Sequence, residues 1–323
     1  MRPKKVVVIG GGTGTFTVLT GLKKYPLSLT AIVSMADDGG STGVLRDELG
    51  VLPPGDVRQC LIALSESDFL MRSLMNYRFE NGGLKGHNFG NILLSALEKI
   101  TGSFDAAVEK TSEILRLEGS VIPVTLDRTR LVAHLKSGKK LHGQNKLPAA
   151  SLKGLKKLTL APAAKANQKA VDAIKKAHVV IIGPGDFYSS LAPNLLVKGI
   201  PEAIRSSKAK KVYICNLMTK KGHTDGWTVN DYVQHMEESL GKPFDYVVYN
   251  NKRPVSTLLQ RYSHKGEELV EWSDELSPKN KFMGTDLVSK NIPNVSKSEI
   301  INRSLIRHNP NKLARLLLHI IKD

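Results

Sequence analysis

The chain has 323 residues, 47 Lys and Arg against 30 Asp and Glu, and a hydrophobic share of 41 %. Exchanging its 8 Tyr for its 27 Gly to match the usual apolar definition gives about 47 %, an ordinary globular value that excludes disorder, collagen and coiled coil. No apolar run approaches the roughly 18 residues of a membrane span. The first apolar stretch breaks at Gly10–Gly12, too early for a secretory leader, and Cys60 and Cys215 form neither a disulfide framework nor a metal pattern. A cytoplasmic location is expected. Subtracting acids from bases (47 − 30) leaves +17. Residues 128–176 hold thirteen Lys and Arg with a single acid, Asp172. Such a stretch attracts anions. It has no interleaved aromatics and no zinc-finger spacing, so nucleic acid is not the expected partner; a solvated lysine-rich face is the plain alternative.

In chain order, Val6–Ile9 reads as a buried strand ending in Gly10-Gly11-Gly12-Thr13-Gly14, followed by a helix over Phe16–Leu22. Leu29–Met35 reads as a second strand, running into Asp37-Asp38-Gly39-Gly40-Ser41-Thr42-Gly43. A polar loop with Pro53-Pro54-Gly55-Asp56 leads to helices over Val57–Leu64 and Phe69–Tyr77. Gly86-His87-Asn88-Phe89-Gly90-Asn91 opens a helix over Ile92–Ile100, and Phe104–Leu115 is helical. Near Gly119 the character changes: Val121–Leu126, Arg130–Leu135, Lys140–Gly143 and Leu155–Ala161 read as antiparallel strands. Residues 119–162 are thus expected to be a basic β insertion within one domain spanning residues 1–323. Alternation then resumes, with helices over Asn167–Ala177, Leu195–Ser206, Val229–Leu240 and Pro310–Ile321. The strands between them are His178–Ile182, Lys211–Cys215 and Tyr246–Tyr249. This order predicts an α/β fold with a mostly parallel sheet covered by helices on both faces.

In such folds ligands sit beyond the carboxyl ends of the strands, where nearly every glycine cluster of this chain falls. Glycines after the first strand let a phosphate approach the backbone and the helix N-terminus, which points to Gly11, Gly12, Thr13 and Gly14; a tight turn without ligand is the plain alternative. Neither the dinucleotide fingerprint nor a P-loop is complete: Thr15 stands where the last glycine would, and no Gly-Lys-Ser/Thr follows. Asp37 and Asp38 lie after the second strand and point different ways, one toward a hydroxyl and the other toward a metal or base; turn capping is the simpler role. Ser41 and Thr42 offer hydroxyls to phosphate oxygens. Asp56 reads as an N-cap and Arg58 as a bidentate phosphate contact. His87, Asn88 and Asn91, between glycines, read as ligand contacts. Gly183 and Gly185, with Ser189 and Asn194, form a second anion cradle. Asn216, Thr219, Asn250 and Asn251 follow the next two strands as a hydrogen-bonding rim, or as strand punctuation. No G-x-S-x-G, H-E-x-x-H or Cys/His metal spacing occurs.

These five strings, from Gly10–Gly14 to Gly183-Pro184-Gly185…Pro193-Asn194-Leu195-Leu196, stand in an order that resembles the gluconeogenesis factor family, relatives of 2-phospho-L-lactate transferase. Asn216-Leu217-Met218-Thr219 and Tyr249-Asn250-Asn251 strengthen the likeness, which extends over essentially the whole chain. The resemblance implies a three-layer α/β/α Rossmann-like fold. It also implies a cytoplasmic regulator of cell shape and of cell-wall precursor supply under gluconeogenic growth. Such a regulator binds UDP-sugars, notably UDP-N-acetylglucosamine, and touches an enzyme of amino-sugar synthesis; a homodimer is expected. The nucleotide-sugar site implied is Gly11–Gly14, Asn194, Tyr262 and Arg307. The transferase branch implies an alternative: moving a phospho-group from a nucleotide diphospho-donor with Mg²⁺, using Asp37 and Asp38.

Overall fold

The computed structural model describes residues 2–144, 147, 152–273, 281–289 and 306–323. Its centre is a seven-stranded sheet of β1 (Lys4–Gly10), β2 (Leu27–Val33), β3 (Ser120–Pro123), β7 (Val179–Ile182), β8 (Lys210–Ile214), β9 (Tyr246–Asn250) and β10 (Lys281–Thr285). The spatial order is β10-β9-β8-β7-β1-β2-β3, and every neighbouring pair is parallel. The inner strands are continuous apolar runs; Val8, Ile9, Val180, Ile181 and Val212 are fully buried, as a sheet covered on both faces requires.

Helix α1 (Gly12–Leu22) joins β1 to β2, and α2 (Gly40–Leu49), α3 (Gly55–Leu64), α4 (Phe69–Asn76), α5 (Phe89–Thr101) and α6 (Phe104–Ile114) follow β2. The second half of the chain adds α7 (Gln168–Lys176), α8 (Ala192–Leu195), α9 (Ile200–Ser206), α10 (Val229–Leu240), α11 (Ser256–Ser263) and α12 (Pro310–Lys322). The C-terminal α12 returns to α1, where the absence of a side chain at Gly21 lets the Pro310 backbone and the Ala314 methyl approach; a Cβ there would lie 3.1 Å from that methyl. Among the described residues no helix is long and apolar enough to cross a membrane.

A separate three-stranded antiparallel sheet, order β5-β4-β6, is built from β4 (Arg130–Leu135), β5 (Lys140–His142) and β6 (Leu155–Ala161). Positions 145, 146 and 148–151 of the expected insertion lie outside the described residues.

The structure corrects the strand reading at Val121–Leu126. Ser120–Pro123 is not antiparallel but pairs parallel with β2, from Thr30 opposite Ser120 to Val33 opposite Pro123. A four-residue apolar run does not reveal which sheet will cover it. The expected loop at Gly39–Gly43 is the start of α2: Gly39 is its N-cap in an extended conformation, and its N–H donates to Asp37 Oδ1 at 3.0 Å. Local propensity argues against a Gly-Ser-Thr-Gly helix start, and packing overrides it. The helix expected over Leu195–Ser206 is broken. A π-turn (Phe187–Leu191) runs into α8, and α9 starts only after Gly199, whose φ of +106° no ordinary side chain favours. Helix α11 and edge strand β10 carry no sequence pattern strong enough to be foreseen.

Candidate functional site

The chain places β2 and β3 on one side of β1, and β7 through β10 on the other. The topological switch point therefore lies between β1 and β7, where a crevice at the strands' carboxyl ends takes ligands in open parallel sheets. Two glycine turns flank it. After β1 the chain enters α1 directly, and after β7 it turns through Gly183, with φ of +82°. These turns touch: a Cβ on Gly14 would lie 2.7 Å from the Pro184 carbonyl carbon and 3.3 Å from the Gly185 nitrogen. Gly14 is what allows the two loops to close together.

A cavity of about 410 Å³ opens over this junction. Thr13, Gly14 and Thr17 form one wall and Gly185 and Asp186 a second. The segment Asn216–Lys220 beyond β8 supplies a third wall. Tyr262, Lys265 and Glu267, then Ile306, Arg307 and His308, close the remainder. The walls are sewn together by hydrogen bonds. Gly185 N donates to Asn216 Oδ1 at 3.3 Å, and Glu268 N to Thr219 Oγ1 at 2.9 Å. Ile306 N donates to the Tyr262 hydroxyl at 2.9 Å, which ties the chain before α12 to α11.

The charge in the cavity is arranged, not diffuse. Lys220 Nζ lies 2.7 Å from Asp186 Oδ2, while Ser189 donates its N–H and its hydroxyl to Asp186 Oδ1 at 2.8 and 2.7 Å. Burial pushes the Asp186 carboxyl up, but Lys220 and Ser189 outweigh it and hold the group below its ordinary value. Burial raises Glu267 instead. Lys265 and Arg307 add two further cations to the lining. His308 is buried, which brings its imidazole down to about 4 against the pull of the Cys215 backbone carbonyl; the ring is neutral at physiological pH. Among the described residues its Nε2 has no hydrogen-bond partner.

A second polar cluster packs behind the first glycine turn. Asp56, in the first turn of α3, accepts a hydrogen bond from the Gly12 N–H, and its carboxylate fills the space a Gly11 side chain would need. Asp56 is thus not merely the cap of its own helix, and it occupies the Gly11–Gly12 face expected to cradle phosphate. Burial and the neighbouring Asp37 raise the Asp56 carboxyl to about 8, and burial raises Asp37 as well. Asp56 therefore keeps its proton at neutral pH. Asp38 turns away, accepting from Gln144 N at 3.1 Å and facing Arg46 Nη1 at 3.9 Å. The carboxyl that acts on Asp56 is thus Asp37, nineteen residues earlier in the chain (56 − 37).

Arg58 is an internal strut. Its Nε donates to Asn91 Oδ1 at 2.9 Å, and its Nη1 to the Met75 carbonyl at 3.1 Å and Asn76 Oδ1 at 3.0 Å. Asn88 caps α5 by accepting from Asn91 N at 3.2 Å, and Ser41 Oγ sits 3.3 Å from His87 Nδ1. Asn91 Nδ2 reaches Ser41 and Thr42 at 3.4 and 3.5 Å. These residues cluster with each other and not on the cavity. Asn194 is fully buried, donating to the Ser190 carbonyl at 2.7 Å. Asn250 joins Lys252 O at 2.6 Å and Leu287 N at 3.1 Å. Of the expected asparagine rim, only Asn216 reaches the cavity.

The expected residues that line the cavity are therefore Thr13, Gly14, Gly185, Asn216, Thr219, Tyr262 and Arg307. Gly183 shapes the turn beneath, and Ser189 braces Asp186. Lys220, Lys265 and His308 also line it, though no motif marks them. Position after β8 was an available signal for Lys220; His308 had only its adjacency to Arg307.

The fold and site define a class. Residues 6–292 match the 2-phospho-L-lactate transferase CofD family, to which the chain belongs. It is 43 % identical over 320 residues to a Nostoc protein, covering 98 % of this chain and 68 % of that one. The Gluconeogenesis factor of Halalkalibacterium halodurans is 40 % identical over 321 residues, covering 98 % of this chain and 97 % of its own. The Gluconeogenesis factor of Bacillus subtilis is 36 % identical over 322 residues, with 99 % and 98 % covered. A crystal structure of a Bacillus halodurans protein superposes with a TM-score of 0.90 at 38 % identity, covering 98 % of this chain and all of the other.

Proposed function

We propose that the switch-point cavity binds a nucleotide sugar, UDP-N-acetylglucosamine being the ligand that the family likeness favours, and that binding regulates an enzyme of amino-sugar synthesis and through it cell shape. The observation carrying this reading is the convergence of the Thr13–Gly14 and Gly185 turns with Lys220, Lys265 and Arg307 on one cavity of about 410 Å³. Backbone N–H groups at a helix start together with cations suit a diphosphate. A volume of this size suits a small cofactor-sized ligand. The diphosphate lies at Thr13–Gly14 and not at Gly11–Gly12, because the Asp56 carboxylate fills that side.

Calorimetric titration with UDP-N-acetylglucosamine, and with GDP plus Mg²⁺ for comparison, tests the reading. Replacing Arg307 by Ala removes a charge-assisted contact of about 1.5–3 kcal/mol, which weakens the UDP-sugar by roughly ten- to a hundredfold. Wild-type affinity in that variant overturns the reading. The buried Asp37–Asp56 pair favours a second reading, a transferase of phosphorus-containing groups. Mg²⁺ is held by one or two carboxylates plus substrate phosphates and water, a requirement this pair meets in charge. There the cation would take the place of the proton that Asp56 holds. Preference for GDP with Mg²⁺, and turnover of a nucleotide-linked donor that Asp56→Asn abolishes, would establish it.

A further inference from the structure

The antiparallel unit is untouched by the cavity, yet it holds the densest charge of the chain. Between Asp127 and Asp172 the sequence has no acidic residue. The register brings Lys157, His134 and Lys140 side by side across β6, β4 and β5. Cβ atoms of directly opposed residues stand only about 5 Å apart, and like charges so placed repel. Lys136 and Lys139 flank the Ser137-Gly138 turn, and Lys136 N donates to the Gly154 carbonyl at 2.8 Å, which brings the start of β6 to the same end. The open end of the sheet is thus ringed by Lys136, Lys139, Lys140, Lys153, Lys156 and Lys157, all exposed. Among the described residues no carboxylate pairs with Lys136, Lys139, Lys140, Lys156 or Lys157. The effect on His134 is visible: burial lowers its proton affinity, and Lys157, Lys140, His142 and Lys156 lower it further.

We propose that this lysine-ringed end of the small sheet docks on an anionic lipid surface. Three features select lipid among polyanions. The cations at the tip are lysines, hydrated point charges without the planar fork that arginine uses on nucleic-acid phosphates and in protein interfaces. No exposed large apolar or aromatic residue lies on the described part of this unit, so bases have no stacking platform and a protein partner no apolar anchor. Clusters of four to eight lysines are what anionic headgroups attract. The folded chain keeps a self-repelling cluster together, and a dense plane of negative charge offsets that cost.

The test is sedimentation of the full chain with vesicles of phosphatidylglycerol in phosphatidylcholine, against vesicles of phosphatidylcholine alone. Binding to the anionic vesicles that falls as sodium chloride is raised is expected. The triple variant K140E/K156E/K157E should lose it by well over a hundredfold, since neutralising each lysine alone costs about a factor of five. Its melting temperature should hold or rise, because the reversals relieve repulsion; K140Q/K156Q/K157Q gives a milder loss by neutralisation alone. K175E/K176E/K208E, the same charge change away from the tip, should bind as the parent does. Equal binding to neutral vesicles, or retained binding in the triple variant, overturns the proposal. So does a loss shared by both triple variants, or tighter capture of duplex DNA than of vesicles in the same buffer.

Discussion

Replacing Gly14 by alanine probes the junction on which the cavity depends. The new Cβ would stand 2.7 Å from the Pro184 carbonyl carbon and closer still to its oxygen, and ordinary contacts begin at 3.4 Å, so that peptide must retreat by more than the 0.7 Å (3.4 − 2.7) the carbon alone requires. Both sides of the clash are backbone, and no rotamer change relieves it. Overpacking costs about 1–3 kcal/mol, and an overlap of main chain on main chain belongs at the upper end. An unfolding entropy of about 2.1 cal/mol/K per residue gives about 0.7 kcal/mol/K for 323 residues, so a loss of about 3 kcal/mol lowers Tm by about 4 °C. The retreat also parts the two turns that would hold a diphosphate, so UDP-sugar affinity should fall by at least about tenfold. Differential scanning calorimetry and isothermal titration read the two effects. Gly83→Ala, with no atom within 4 Å of the added methyl, is the control and should change neither. Parent-like Tm and parent-like affinity in Gly14→Ala would refute the contact between the turns as described.

Asp56→Asn should stabilise the protein increasingly as pH rises. The carboxyl titrates at about 8 when folded, against an ordinary 3.8, so the folded state holds the proton more tightly. Stability from this group is full below the ordinary value, declines between the two values, and stays lost above the upper one. Tm profiles of parent and variant should diverge from pH about 4 to about 8 and run parallel above that, and profiles parallel throughout would contradict the raised Asp56 carboxyl. Arg58→Met should destabilise by about 2–5 kcal/mol in chemical denaturation, because the buried Asn91 Oδ1 and Met75 carbonyl lose their donors. Nucleotide affinity of the folded variant should stay at the parent value; a selective loss of binding would restore Arg58 to the ligand.

How much of this was legible beforehand depended on the range of the interaction. The apolar runs Val6–Ile9 and His178–Ile182 and the glycines after them point to buried parallel strands ending in glycine turns, because burial on both faces and left-handed φ are properties a single residue type satisfies. The glycine strings likewise carry the family likeness, and the short strands expected at Arg130–Leu135, Lys140–Gly143 and Leu155–Ala161 do pair antiparallel. Sequence spacing alone did not decide which polar residues face each other. Asp37 sits beside Asp38 in the chain, yet it is also the carboxyl that helps raise Asp56, because the start of α3 packs onto the first glycine turn. Arg58, His87, Asn88 and Asn91 look like ligand contacts by type and setting; the tertiary structure binds them to one another, since buried polar groups must find partners and these were nearest. His308 enters the cavity wall only because α12 folds back across α1 and carries the preceding residues to the carboxyl ends of strands formed early in the chain. Residue type and period are written locally and can be read; the meeting of distant side chains is set by how helices pack over the sheet, and only the folded chain contains it.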